Sequence, residues 1–383
     1  MRGWQGGSPA PARNPGAGLP RSIRMPPRTI PFRPRPPWYG GHLQTLRALR
    51  WPVAVPLPPG HRLWLPLPDR DALAATLHWP EARRRRPLAV LVHGLTGSEG
   101  DTYLREAAAG LLRRGFPVLR LNLRGNAVSR PRSTSHTHIG RAEDLAEALA
   151  VLPEALTGLG VLLAGWSLGG ALVLNLLGRQ SGPPEGMPRV LAAAAVSPPL
   201  QPELAHAAID ADPVFGRLLL ALYRREVLAV PATDLDEELR QSALQARSLV
   251  DFEAEVTAPR FGYPSYEVFA ELNRPAAALP RIRVPTLLLL AEDDPLVPAR
   301  RSLEGIGWEA CPAVAPLLVA GGGHCGFYDR GQRESLSVRA IGAFFGGAAD
   351  QAAAAASASA AESQGAVSTP SSTAQAAAST ALA

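Results

Sequence analysis

Lysine is absent from the 383 residues, so all 39 basic side chains are arginine. Against 33 acidic residues they leave a formal charge of +6. The arginines are scattered and no RNA- or DNA-binding motif accompanies them, so no nucleic-acid partner is expected. Cysteine is almost absent too: Cys311 and Cys325 cannot build a disulfide framework, and the fold needs no oxidising compartment. Long apolar runs are lacking. The longest, Val161 to Leu177, is divided by Gly165, Ser167, Gly169 and Gly170, which suits a strand, a turn and a helix better than a membrane span. Residues 1–35 carry no apolar segment of the kind a secretory signal needs, so a cytoplasmic location is expected. Met1 and Met25 both remain candidates for the true start.

Hydrophobic residues make up 46% of the chain and charged residues 19%, which excludes wholesale disorder. The length is about twice that of a modal domain and within reach of one large α/β unit. Three regions emerge. Residues 1–35, rich in Arg, Pro and Gly, read as a flexible leader. Residues 36–345 read as the folded domain. Residues 346–383 are almost wholly Ala, Ser, Gln and Thr without an amphipathic pattern, and read as a disordered tail.

Inside the domain, strands and helices alternate. Pro87–His93, Val118–Leu121, Val161–Ala164 and Val190–Val196 are short apolar runs rich in branched side chains, and read as buried strands. Between them, Asp101–Arg114 and Arg141–Leu152 place apolar residues on one helical face, and Leu168–Gly178 is a largely apolar helical stretch. Near-continuous apolar strands separated by helices predict a mostly parallel sheet covered on both faces, an α/β fold. Residues 200–280 break the rhythm and read as an inserted helical cap. It resumes at Pro285–Leu290 and Leu317–Ala320, and a last helix is expected over Gln332–Phe345. Arg62–Leu67 and Leu73–Trp79 resemble a hairpin at the sheet edge.

Gly165-Trp166-Ser167-Leu168-Gly169 is the sharpest chemical signal. In a nucleophile elbow the serine sits in a strained turn between strand and helix, and small neighbours are needed because the backbone is crowded there. Among 36 glycines the pattern alone is weak; its position between an apolar strand and an apolar helix strengthens it. A serine hydroxyl needs a base, and the base an orienting carboxylate, in the chain order Ser, acid, His. His324 follows the last strand in a glycine-rich loop and is the expected base. Asp294, just after the preceding strand, is the favoured acid because of its Asp-Pro-Leu-Val-Pro turn; Asp293 and Glu292 stay open. An oxyanion hole would use the backbone N–H groups of Leu168 and of Leu95, in the loop His93-Gly94-Leu95-Thr96-Gly97.

Other candidates carry less. His93 reads as a loop-shaping residue. His136 and His138 have no acidic or cysteine partner at metal-ligand spacing, so no metal site is expected. Arg83–Arg86 read as a solvated loop, and Cys325 as an oxidation or alkylation target beside the base. No Walker-type phosphate loop is present, and no cofactor is expected.

Several stretches together resemble the YheT-like branch of the α/β-hydrolase superfamily, carboxylesterase-type proteins that include medium-chain phospholipases of animals. They are Pro37 to Leu46 with its His-Leu-Gln-Thr segment, His93 to Gly97, Leu121 to Gly125, and His138-Ile139-Gly140 with Asp144-Leu145. Val250 to Tyr266, Asp293-Asp294-Pro295, Gly322-Gly323-His324 and Gly326-Phe327 complete the set. The likeness spans roughly residues 30–345. Cys325 departs from it, since an apolar residue would be usual there. The resemblance implies an α/β-hydrolase fold and gives Ser167, Asp294 and His324 the nucleophile, acid and base roles. The expected activity is hydrolysis of short- to medium-chain or lipid carboxylic esters through an acyl-enzyme. An acyltransferase with the same triad, or a non-catalytic binding protein, is the alternative. Phe252, Phe261, Tyr263, Tyr266 and Phe269 would either line an acyl pocket or pack the cap. A lipid substrate is compatible with peripheral membrane contact. Oligomeric state is not legible.

Overall fold

The computed structural model describes residues 29–367 apart from 50, 52–53, 83, 183 and 230–234. Most of the expected leader (including Met25), Arg83 of the arginine run and the tail from 368 therefore lie outside the described residues. Nine strands among the described residues form one sheet. They are β1 (Thr29–Ile30), β2 (Gly60–Pro66), β3 (Ala72–His78), β4 (Leu88–Val92), β5 (Val118–Leu121), β6 (Val161–Trp166), β7 (Val190–Val196), β8 (Thr286–Ala291) and β9 (Val314–Val319). Their spatial order is β1-β9-β8-β7-β6-β4-β5-β3-β2. Every pairing is parallel except the two made by β3.

The continuous apolar strands have a physical cause. Successive side chains point to opposite faces, and both faces are covered by helices. Leu162, Ala164 and Trp166 of β6 pack into one core with Leu104, Phe116 and Phe345. Val161 and Leu163 pack into another with Leu145, Leu172 and Leu176. Strand β8 divides likewise, Leu287 and Leu289 entering the first core and Leu288 and Leu290 a third. Between β7 and β8 the chain is helical, with Pro202–Ala211, Phe215–Leu228 and Glu237–Gln245 leading into shorter turns, and it builds a core of its own around Phe215, Tyr223 and Phe252.

Two expectations at the chain's ends need correction. Residues 29–35 are not leader: Thr29 and Ile30 pair with Leu318 and Val319, and Pro34 bridges to Asp329. A two-residue strand has too short a pattern to be read, yet it covers an otherwise open sheet edge. Likewise the last helix does not stop near 345 but runs Leu336–Val367, so residues 346–367 are helical rather than disordered. Its first turns are docked through Val338, Ile341, Phe345 and Ala349, and Asp350 pairs with Arg86 at 2.6 Å. Alanine is the strongest helix former, and an anchored helix propagates without an amphipathic face.

Arg124, at the exit of β5, ties three segments together and is itself buried. It donates from Nε and Nη2 to the two oxygens of Asp144, both at 2.8 Å, from Nη1 to Asp69 at 2.7 Å, and also to Asp71. Replacing it leaves Asp71 buried without its cation and Asp144 with only the longer 3.6 Å contact to Arg141. Arg124→Met is expected to cost about 3–5 kcal/mol of unfolding free energy, read from urea denaturation.

Candidate active site

Strand β6 ends at Trp166, and the helix Leu168–Leu177 begins one residue after Ser167. Ser167 joins them at φ 51°, ψ −122°, a conformation sterically costly for a side-chain-bearing residue. What it achieves is a reversal of the backbone within one residue, and this brings main chain onto main chain. A Cβ on Gly165 would stand 2.2 Å from the Gly169 carbonyl oxygen, and one on Gly169 would stand 2.4 Å from that of Val92. The glycines of the motif are therefore demanded by space.

The loop after β4 closes on the same point. A Cβ on Gly94 would come within 3.0 Å of the Ser167 Cβ. The Gly94 N–H donates to the Tyr103 hydroxyl at 3.0 Å, so the next N–H in the loop belongs to Leu95. Leu95, Leu168, Ser167 and His324 all line one cavity, of about 120 Å³, several times the space one water needs. His93 lies beneath it, fully buried. It accepts the Leu123 N–H at Nε2 (3.0 Å), and its Nδ1 lies 2.8 Å from the Gly94 carbonyl, which shapes the loop. Burial lowers its basicity.

Of the three carboxylates weighed for the acid, the structure brings Asp294 to the histidine. Asp294 Oδ2 is 2.9 Å from His324 Nδ1, and its Oδ1 accepts the N–H groups of Leu296 and Val297 at 2.8 and 3.0 Å. Asp293, adjacent in sequence, points the other way and accepts the Gly323 N–H at 2.8 Å, bracing the loop. Glu292 pairs with Arg300 and with the Thr29 hydroxyl. Burial alone would weaken His324 as a base; the Asp294 carboxylate more than offsets this and holds its pKa well above the ordinary value.

What holds the His324 loop was not legible from composition or spacing. The helix Gly40–Leu49 packs directly on it, so that a Cβ on Gly323 would lie 2.2 Å from the Gly41 carbonyl oxygen. Thr45 Oγ1 accepts the His324 N–H at 2.8 Å, and Gln44 Oε1 accepts that of Tyr328 at 2.8 Å. Those two residues are the end of the His-Leu-Gln-Thr segment, whose only earlier signal was the family resemblance. Gly321, Gly323 and Gly326 match the letters of a dinucleotide-binding pattern, but they form this loop and open no helix.

The five aromatic residues considered for an acyl pocket do not line the cavity. Phe252 and Phe269 are fully buried in separate cores, Tyr263 stacks edge-on against Phe269, and Phe261 packs on His138 at 4.2 Å. They belong to the packing of the insertion. The cavity wall from that region comes from Ala205, His206, Ile209, Phe215, Leu219 and Tyr223 instead, positions that no simple period singles out. Cys325, buried and at φ 66°, also faces it. No group of three His, Cys, Asp or Glu fit to hold a metal occurs among the described residues, and none of their helices is long and apolar enough to cross a membrane.

The α/β-hydrolase fold model matches residues 87–331, more than half of the chain. YheT of Escherichia coli, which carries the name of an esterase, is 30% identical over 75% of the chain and 84% of its own length. The chain thus belongs to the α/β-hydrolase family, in its YheT-like branch. It is also similar to the monoacylglycerol lipase of Saccharomyces cerevisiae, at 24% identity over 65% of this chain, and spans 56% of that protein's length. Among solved structures, the esterase Pf2001 of Pyrococcus furiosus superposes with a TM-score of 0.50 at 17% identity, covering 76% of this chain and 91% of its own, a likeness of fold alone.

The crowding around Ser167 makes its own prediction. Gly165→Ala and Gly169→Ala are each expected to lose about 1–3 kcal/mol of stability in urea unfolding, whereas Gly346→Ala, where added bulk meets nothing within 4 Å, should lose none.

Proposed function

We propose that the protein is a serine hydrolase of carboxylic esters, with Ser167 as nucleophile, His324 as general base and Asp294 as its orienting acid. The observation that carries this reading is the buried 2.9 Å contact between His324 Nδ1 and Asp294 Oδ2, on the wall of the cavity that also holds the strained Ser167. With Nδ1–H donated to Asp294, Nε2 keeps its lone pair for the serine proton. Esterase and lipase names among the relatives support the same class.

The reaction runs in two halves. Ser167 Oγ attacks the ester carbonyl as His324 Nε2 takes its proton, and negative charge develops on the carbonyl oxygen. The Leu95 and Leu168 N–H groups receive that charge; the second is one of the unpaired donors at the start of a helix, where the dipole favours an anion. The tetrahedral species collapses, the ester C–O bond breaks, and the alcohol leaves with the proton returned by His324. Water then repeats the attack on the acyl-serine, giving the carboxylic acid and free Ser167.

Ser167→Ala should lower kcat/KM toward p-nitrophenyl esters by on the order of 10⁴-fold or more with the fold intact. Activity retained in that variant would exclude the mechanism. Adding an alcohol acceptor separates acyl transfer from hydrolysis through the products formed.

Because His324 acts as a base only when neutral, kcat/KM should fall as pH drops through its pKa. Asp294 stabilises the imidazolium, so that acidic limb lies above the ordinary histidine value of 6.5. In Asp294→Asn the limb should move to lower pH while the plateau drops about 10³–10⁴-fold, measured as a pH–rate profile.

A further inference from the structure

A second pocket, of about 310 Å³, opens between the helices Gly40–Leu49 and Thr102–Arg113 and the start of the last helix, and shares no residue with the cavity at Ser167. Four arginines line it, Arg35, Arg47, Arg113 and Arg333, against two carboxylates, Glu106 and Glu334. Every nearby carboxylate is engaged. Glu106 accepts Arg47 Nη2 at 3.2 Å, and Asp329 pairs with Arg339 at 2.7 Å. Glu334 receives Arg114, from outside the pocket, at 2.7 and 3.0 Å and Arg113 at 2.5 Å; these guanidiniums hold its carboxyl down to about 2.

What remains on the wall is cationic. Arg35 donates to the main-chain carbonyls of Asp329, Gln332 and Arg333, and neither it nor Arg333 has a carboxylate partner among the described residues. Arg47 is buried, with a relative exposure of 7%, and its Nη1 has no hydrogen-bond partner among the described residues. Its guanidinium lies 3.7 Å from the centre of the Tyr328 ring, and that of Arg35 lies 5.8 Å from the same ring. Like charges gathered on one ring repel, and a buried donor left unpaired costs free energy. An anion in the pocket relieves both. None of the first 68 residues is acidic, so no carboxylate of the N-terminal segment can supply that charge.

The wall carries two more arginines than carboxylates, which suits a dianion. A phosphate monoester bears about −1.5 to −2 near neutral pH, and guanidinium forks match its oxygens; a carboxylate brings one charge only. Ala54, Val55 and Pro56 offer an apolar side to the organic group.

We propose that this pocket is a binding site for a phosphomonoester, held by Arg35, Arg47 and Arg333 and separate from the cavity at Ser167. Arg47 stands on the same helix as Gln44 and Thr45, which brace the His324 loop, so the site adjoins the catalytic machinery without entering it.

Phenyl phosphate, titrated calorimetrically into the full chain at constant ionic strength, probes a free ligand. Flotation with phosphatidylcholine vesicles, with and without phosphatidic acid, probes the same phosphate chemistry on a lipid headgroup. Binding in either arm should weaken about tenfold or more in Arg47→Met and about threefold or more in Arg333→Glu, and persist in Arg85→Ala, an exposed arginine elsewhere. Calorimetric binding assigns a free phosphomonoester; flotation without it assigns the lipid headgroup. Arg333 is exposed, so its variant carries the test if Arg47→Met fails to fold. No binding in either arm overturns the site, as does binding that Arg333→Glu leaves unchanged. An equal loss in Arg85→Ala overturns it in favour of diffuse attraction to a basic surface. Phenylacetate bound as tightly as phenyl phosphate overturns the phosphate assignment in favour of a carboxylate.

Discussion

Everything in the site depends on one tight reversal of the backbone, at Ser167. Strand β6 is buried on both faces and cannot bend, and the helix after it must fall back onto the sheet. One residue absorbs the turn by taking a positive φ. The cost is offset by the apolar strand and helix on either side, which are fully packed and over-determine the geometry. The reward is a side chain held at the end of the sheet, facing the first turn of a helix. Because β4 and β6 are neighbours, the loop after β4 arrives at the same place and closes against the serine.

The histidine is placed by different means. Its loop has no regular structure, so its position comes from contacts on three sides: Asp293 and Asp294 from the end of β8, and Thr45 and Gln44 from the Gly40–Leu49 helix. The two adjacent aspartates divide the work, one on the ring and the other on the backbone that carries it. The N-terminal helix thereby gains a role that nothing in its own chemistry suggests. It is far from His324 in sequence, and it contributes a side-chain hydroxyl and an amide that accept backbone N–H groups, with small residues where the two backbones touch.

The insertion between β7 and β8 does two things at once. Its aromatic rings stabilise it internally, with Tyr223 and Phe252 packed at 4.8 Å. The face it turns toward Ser167 mixes aliphatic side chains with the rings of Phe215 and Tyr223 and a few polar groups. Rings are large and lose little entropy on burial, so those of Phe252 and Phe269 serve as core alone, while Phe215 and Tyr223 pack in the core and also face the cavity. An aromatic-rich stretch in an insertion is thus a poor guide to which side chains meet a ligand.

The sequence by itself determined the parallel sheet, since runs such as Val190–Val196 and Val118–Leu121 coincide with strands residue for residue. It also determined where a reactive serine could stand, because an elbow is a local feature written in five consecutive residues. Distance in the chain limited the rest. Asp293 and Asp294 are equivalent as letters, and only their orientation after β8 separates them. The roles of Gln44 and Thr45, the edge strand at Thr29–Ile30 and the pocket that gathers Arg35, Arg47 and Arg333 likewise depend on which segments meet. Local periodicity records what a residue turns toward the core; it holds no record of what lies on the other side of the contact, and that was decided by the tertiary structure.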